Sequence, residues 1–160
     1  MKNLSTEIAV IVKEELSLLN NKIKGTVLLE IMKYKLIDRL QSLSAEVSLI
    51  NIETASKKSI YEDEAREVFV EFKSIVAPKV NLNHELKNDL LLICVDKTIN
   101  IRIEDFISKK NISLNLSALG GIVLPKGSKF STNFSKNSAY IEFSLEDKNN
   151  DIEKIEERTI

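Results

Sequence analysis

The sequence is poor in the residue types that most often carry catalytic and metal chemistry. Its 160 residues include a single cysteine, Cys94, and a single histidine, His84. One cysteine excludes an internal disulfide, and the clustered Cys and His residues of zinc sites are missing. A Cys94–His84 nucleophile pair would need neighbouring strands, and Cys94 lies in the apolar run LLLICV, where a thiolate is disfavoured. We therefore expect Cys94 to be a buried strand residue, and we expect no enzyme activity, no cofactor and no metal.

Long apolar runs are also missing. The longest has about six residues, whereas a membrane-spanning helix needs roughly 20. The first ten residues, MKNLSTEIAV, include the acidic Glu7 and lack the apolar stretch and cleavage site of a signal peptide. The net charge of -1 gives no overall attraction to nucleic acid or to an anionic membrane. These absences predict a cytoplasmic protein with no membrane partner.

A nucleotide-binding loop is excluded by spacing. The segment 119–130, LGGIVLPKGSKF, has the glycines and lysines of a phosphate loop but not the order G-x-x-x-x-G-K-[ST]. Counting from Gly120 places the second glycine at Pro125, and counting from Gly121 places it at Lys126. The segment therefore predicts a short strand that ends at Pro125 and is followed by a turn.

The first fifty residues have the apolar spacing of helices. Val12, Leu16 and their successors lie three or four residues apart, and Gly25 suits the end of one helix and the start of another. The apolar stripe of the second helix can pair with another helix, so we predict a helical arm or oligomerisation region over residues 1–58. The predicted interface within it consists of Leu29, Met32, Leu36, Leu40, Leu43 and Val47.

Most of the remaining chain has the two-residue alternation of strands. The motif SIYE at 59–62 fits a helix-capping box and predicts a short helix, but from Val68 onward apolar and polar residues alternate. Several short strands with no helices between them favour an antiparallel β-sandwich. The predicted class is therefore α+β, with the helical arm followed by an antiparallel β domain at 59–147 and a charged tail at 148–160.

One segment is unusual in its charge. Residues 106–140 contain no Asp or Glu, and lysines and aromatic residues alternate near their end. Strands that present aromatic side chains beside lysines are typical of single-stranded nucleic-acid binders. The candidate polyanion-binding residues are Lys126, Lys129, Phe130, Phe134 and Lys136.

Residues 66–147 resemble the α-crystallin domain of small heat-shock proteins. The resemblance rests on the paired alternations TINIRIED and NISLNLS, on GIVLP, and on NFSKNSAYIEFSLEDK. It implies a β-sandwich that forms oligomers and holds unfolding client proteins. The arrangement of a helical arm, a domain of about 80 residues and a short polar tail is similar to that family.

Three functional hypotheses follow. The first is a non-enzymatic protein-binding module, with a homo-oligomeric, holdase-type chaperone as its most specific form. The second is an inhibitor or immunity-type protein that binds one specific protein partner. The third is single-stranded nucleic-acid binding through the acid-free segment, which we retain as the least favoured of the three.

Overall fold

The chain forms two helices followed by two antiparallel sheets, which confirms the α+β class and its order. A computed structural model describes residues 4–43, 52–104 and 108–145. The predicted charged tail lies outside these residues. The helices are α1 (Leu4–Ser17) and α2 (Gly25–Gln41). The strands are β1 (Ser56–Asp63), β2 (Val68–Ile75), β3 (Lys79–Glu85), β4 (Leu90–Asp96), β5 (Thr98–Glu104), β6 (Asn111–Ser117), β7 (Gly121–Leu124), β8 (Lys129–Phe134) and β9 (Ser138–Leu145).

The two sheets stack face to face as a sandwich. The five-stranded sheet has the order β1-β2-β9-β4-β7, and the four-stranded sheet has the order β3-β8-β5-β6. Short turns cross between the sheets from β2 to β3, from β4 to β5, from β6 to β7 and from β8 to β9. These pairs of strands therefore lie one above the other. Only β1 has no counterpart among the described strands, so it extends beyond β3 at one side of the sandwich.

The helices cover the outer face of the five-stranded sheet. Val68 and Val70 of β2, together with Ile141 and Phe143 of β9, belong to one buried cluster with both helices. A second buried cluster lies between the two sheets. The five-stranded sheet is therefore covered on both faces, and none of the described helices is long and apolar enough to cross a membrane.

The helical stripe predicted as an interface packs inside this layer. Four of its six residues are fully buried in the cluster that contains α1 and the five-stranded sheet: Leu29, Met32, Leu36 and Leu40. Leu43 packs partly buried against the same cluster, and Val47 lies outside the described residues. The described part of this apolar surface is thus covered within the chain. A homo-oligomer stays a prediction, and it would need another surface.

Polar contacts fix the two helices to each other and to the sandwich. The Arg39 guanidinium donates hydrogen bonds to Glu15 Oε1 at 3.0 Å and to Glu14 Oε2 at 2.9 Å, which joins α2 to α1. These carboxylates raise the pKa of Arg39. Arg66, in the β1–β2 hairpin, donates to the Leu19 carbonyl at 2.9 Å, in the connection between the helices. The start of the second helix predicted at Gly25 is confirmed, with a φ of +66° there, whereas α1 ends earlier than predicted, at Ser17.

Two local predictions are wrong. The capping-box motif at 59–62 does not start a helix, because residues 56–63 form β1 and pair along β2 from Ser56↔Ser74 to Asp63↔Val68. The segment NLNHELKND at 81–89 has the composition of a polar turn, but its residues up to Glu85 belong to β3, which pairs with β8. In both segments, hydrogen bonding to a strand distant in sequence outweighs the local pattern.

Gly121 allows α2 to approach the sheet closely. The strand predicted before Pro125 is confirmed as β7, and it begins at Gly121. A Cβ atom on Gly121 would lie 3.1 Å from Lys33 Cγ and 3.3 Å from Ile37 Cδ1, both on α2. The paired glycines of this segment therefore serve helix-to-sheet packing and a turn, in keeping with the exclusion of a phosphate loop.

Candidate functional site

Most of the space between the sheets is apolar. The buried side chains there include Leu90, Leu92, Ile99, Ile101, Leu116 and Phe134. Hydrocarbon side chains of this kind offer no hydrogen-bonding group and no ligand for a metal. A polar site inside the sandwich therefore has to lie outside this cluster.

Charged residues enter the sandwich at the β1–β2–β9 side. In β2, Val68 and Val70 face the helices, so the two-residue alternation turns Glu71 and Lys73 toward the four-stranded sheet. The same alternation in β9 turns Glu142 inward, on the same face of the strand as Tyr140 and Ser144. Charged side chains thus occupy positions that elsewhere in this sheet hold leucines.

Strand register brings four of these side chains together. Glu71 lies directly opposite Glu142 in the β2–β9 ladder, and Lys73 lies directly opposite Lys57 in the β1–β2 ladder. Directly opposite residues share one face of a sheet, with Cβ atoms about 5 Å apart. We call the resulting group the charge quartet, defined as Lys57, Glu71, Lys73 and Glu142.

Each carboxylate of the charge quartet has a lysine partner. Lys57 Nζ lies 3.3 Å from Glu71 Oε2, and Lys73 Nζ donates a hydrogen bond to Glu142 Oε2. Lys73 Nζ also lies 5.9 Å from the centroid of the Tyr140 ring. Two glutamates directly opposite each other would repel. The two ammonium groups neutralise this repulsion, so the group as a whole has no net charge.

The four side chains of the charge quartet differ in their exposure to solvent. The Glu71 side chain is 3% exposed, and those of Lys73 and Glu142 are each 14% exposed. Lys57, on the strand that extends beyond β3, is 43% exposed. Solvent therefore reaches the group at the side of the sandwich where the edge strands β1 and β3 lie, and we call this side the opening.

Neutral polar groups of both sheets also face the inside of the sandwich. Asn81 of β3 donates from Nδ2 to Thr132 Oγ1 of β8 at 3.2 Å, on the inner face of the four-stranded sheet. In the five-stranded sheet, Ser144 donates from Oγ to the Phe69 carbonyl at 3.3 Å. Ser144 and Phe69 are each two residues from the glutamate of their own strand. The polar end of the sandwich thus combines two carboxylates, two ammonium groups, an amide and hydroxyls.

Cys94 has no role in this site. It is fully buried, as the sequence predicts, and its burial is the main cause that raises the pKa of the thiol to about 12. Its Sγ lies 3.5 Å from the Lys97 carbonyl oxygen. Within residues 4–43, 52–104 and 108–145, no group of three His, Cys, Asp or Glu residues could hold a metal ion.

Cys94 should not react with a thiol reagent such as DTNB at pH 8 while the protein is folded, because its thiol is both protonated and inaccessible. Reaction is expected only in denaturant. A Ser135→Cys variant, which places a second thiol at an exposed position, provides the positive control. Stoichiometric labelling of the unmodified native protein would contradict the burial of Cys94.

The candidate polyanion-binding residues divide between the interior and the surface of the sandwich. Phe130 and Phe134 are 7% and 1% exposed, with their rings between the sheets, and Phe134 stacks on Tyr140 at a centroid distance of 5.7 Å. Buried rings cannot stack on the bases of a nucleic acid. The three lysines of the set are exposed: Lys126 in the β7–β8 turn, Lys129 at the start of β8, and Lys136 in the β8–β9 turn.

Comparison with solved structures identifies the type of sandwich. A cupin superfamily protein from Desulfitobacterium hafniense is similar with a TM-score of 0.50 and 14% identity, over 63% of this chain and 87% of that one. KdgF from a Halomonas species is similar with a TM-score of 0.50 and 12% identity, over 62% and 88%. Drosophila melanogaster CENP-C bound to CAL1 is similar with a TM-score of 0.50 and 12% identity, over 67% and 94%.

At these identities the likeness shows the fold alone, which is the double-sheet jelly-roll type of the cupins. A scan against models of protein families finds no match, and neither does a search of curated proteins.

The resemblance to the α-crystallin domain is therefore wrong, and so is the functional interpretation built on protein binding and holdase activity. The structural neighbours are cupin-type sandwiches. The motifs that suggested a heat-shock protein, such as TINIRIED and GIVLP, are strand alternations that any two-layered β fold needs. The burial of Phe130 and Phe134 removes the stacking platform on which the nucleic-acid alternative rested.

Proposed function

We propose that the β-sandwich binds a small polar molecule at the charge quartet. The observation that supports this is the direction of four charged side chains into the space between two sheets whose other inward residues are mostly apolar. Ligand sites often lie in the mouths of β-barrels and combine apolar walls with a few convergent polar groups. The opening between β1 and β3 has this composition.

The energetics of buried charge support a functional role for the charge quartet. Taking ions out of water has a large free-energy cost, and replacing a buried ion pair by well-packed apolar residues is often neutral or stabilising. Residues kept at such a cost in stability are frequently those that function requires. Glu71, at 3% exposure, is the clearest case because leucine would suit the same position in a structural core.

The arrangement suits binding better than catalysis, and we propose that the protein is not an enzyme. Lysine ammonium groups neutralise both carboxylates, so neither is held free as a base. Cys94, with its pKa raised to about 12 by burial, is not an activated nucleophile. The groups of the charge quartet can instead exchange their mutual contacts for contacts with a polar ligand.

Removing one ion pair of the charge quartet should abolish ligand binding without unfolding the protein. In the double variant Lys73→Met with Glu142→Leu, both charges of the pair are lost and apolar groups of similar size replace them. We expect a molecule that raises the melting temperature of the unmodified protein to have no effect on this variant. The measurement is a thermal-shift screen of small organic acids, amino acids, sugars and sugar phosphates.

The matched control is an ion pair of the same type outside the sandwich. Glu30 and Lys33 form a 2.9 Å pair on α2, so Glu30→Leu with Lys33→Met should leave the ligand response intact. If both double variants respond like the unmodified protein, the charge quartet is a structural ion-pair network and the proposed function is wrong.

A further inference from the structure

We infer that the ligand of the charge quartet carries an anionic group, carboxylate or phosphate, which lysine ammonium groups bind at the opening. This inference rests on the proposed function, and it names the chemical class that the site would select. It depends on which member of the charge quartet a ligand meets first, and on the charge of the residues on either side of the opening.

Lys57 is the accessible member of the charge quartet. Its side chain is 43% exposed, whereas the side chain of its partner Glu71 is 3% exposed. A molecule entering between β1 and β3 therefore meets an ammonium group before it meets a carboxylate. Lys57 also belongs to β1, which is an edge strand of the five-stranded sheet.

The other side of the opening also begins with a lysine. Lys79 is the first residue of β3, and it is exposed. Together with Lys57 and Lys73, it gives the opening three positive charges, against the two negative charges of Glu71 and Glu142. The excess charge is positive, so an anion is favoured over a cation of the same size.

A lysine side chain can bind an anionic group of either kind, carboxylate or phosphate. Its ammonium group donates charge-assisted hydrogen bonds to carboxylate and to phosphate oxygens alike. The neighbouring hydrogen-bonding groups, Asn81 and Thr132 on one sheet and the exposed Ser59 opposite Glu71 on the other, suit a ligand body that bears hydroxyls. The class expected is therefore a small hydroxylated anion, a hydroxycarboxylate or a phosphorylated polyol.

Three named probes test this class at constant ionic strength. Citrate represents the hydroxycarboxylates, glycerol 3-phosphate the phosphorylated polyols, and glycerol the neutral molecules with hydroxyls only. We expect citrate or glycerol 3-phosphate to bind and to raise the melting temperature, with glycerol inactive. The anion that binds identifies whether the group is a carboxylate or a phosphate.

Lysine variants show whether binding takes place at the opening. Lys57→Met should weaken the Kd of the active anion by about tenfold, as expected for the loss of one charge-assisted hydrogen bond, and Lys79→Met should weaken it to a smaller extent. Lys126→Met is the matched control, since Lys126 is an exposed lysine in the β7–β8 turn beside Asp89. It should leave the Kd unchanged.

The outcomes separate this inference from the proposed function. If only a neutral or cationic molecule binds, and the Lys73→Met with Glu142→Leu variant abolishes its binding, the site stands and the anionic class is wrong. If anions bind equally weakly in all three lysine variants, they act through overall charge, and the inference is again wrong. If no molecule depends on the charge quartet, the proposed function itself fails.

Discussion

Replacing Lys73 alone by methionine is expected to lower the free energy of unfolding by about 3–5 kcal/mol, the range measured when one partner of a buried ion pair is removed. The physical reason lies in the strand register. Lys73→Met removes the ammonium group that donates to Glu142 Oε2, while Glu142 still faces Glu71 directly across the β2–β9 ladder. Urea denaturation followed by circular dichroism measures the change.

The double variant Lys73→Met with Glu142→Leu should recover most of this loss, because no unpaired charge stays buried. Its free energy of unfolding should lie within about 1 kcal/mol of that of the unmodified protein, or above it. Lys33→Met should cost less than about 1 kcal/mol, because the carboxylate that it leaves unpaired, Glu30, is 47% exposed and stays hydrated. Equal destabilisation by the single and the double variant would mean that Lys73 and Glu142 are not energetically coupled.

Leu36→Asp should abolish the folded state. Leu36 is fully buried in the cluster that joins α1, α2 and the five-stranded sheet, so aspartate would leave a cavity and an unpaired charge. The two effects together cost more than about 5 kcal/mol, which approaches the whole stability of a small domain. Loss of the circular-dichroism signal and of a cooperative urea transition would show it.

Tyr34→Asp is the control on the same helix, because Tyr34 is 69% exposed. It should change the free energy of unfolding by no more than about 0.5 kcal/mol. If Leu36→Asp instead stays folded and only lowers the mass in solution, the helical stripe serves contacts between copies, and its packing against the sheet is not essential.

The elements that the sequence predicts well are those fixed by local pattern. The boundary at Gly25, the buried strand around Cys94 and the strand before Pro125 all follow from short-range chemistry. β1 and β3 were missed because their residues are mostly polar, and their strand conformation depends on partners elsewhere in the chain. Such pairing cannot be predicted from the pattern of neighbouring residues in the sequence.

The charge quartet was missed for a related reason. The alternation around Glu71 and Lys73 is visible in the sequence, but an alternation alone does not say which face meets solvent. Because both helices cover the apolar face of β2, the polar face turns into the sandwich. The register that places Glu71 opposite Glu142 joins residues 71 positions apart, which only the folded structure reveals.

The fold type escaped prediction because strand order is not a local property. Residues 66–147 contain alternations that suit any β-sandwich, and what distinguishes one sandwich from another is which strands become neighbours. Here β2 pairs with β9 and β3 with β8. Those long-range pairings place β1 beyond the edge of the opposite sheet, and they create the opening on which the proposed function depends.

An NMR titration that follows backbone amide shifts tests the central claim most directly, with citrate or glycerol 3-phosphate, or any ligand found in the screen, as the titrant. We expect saturable shifts confined to the residues around the opening, namely those near Lys57 in β1, Lys73 in β2, Lys79 in β3 and Glu142 in β9. Shifts centred instead on the helices, or on the outer face of the four-stranded sheet around Asn100, would contradict it.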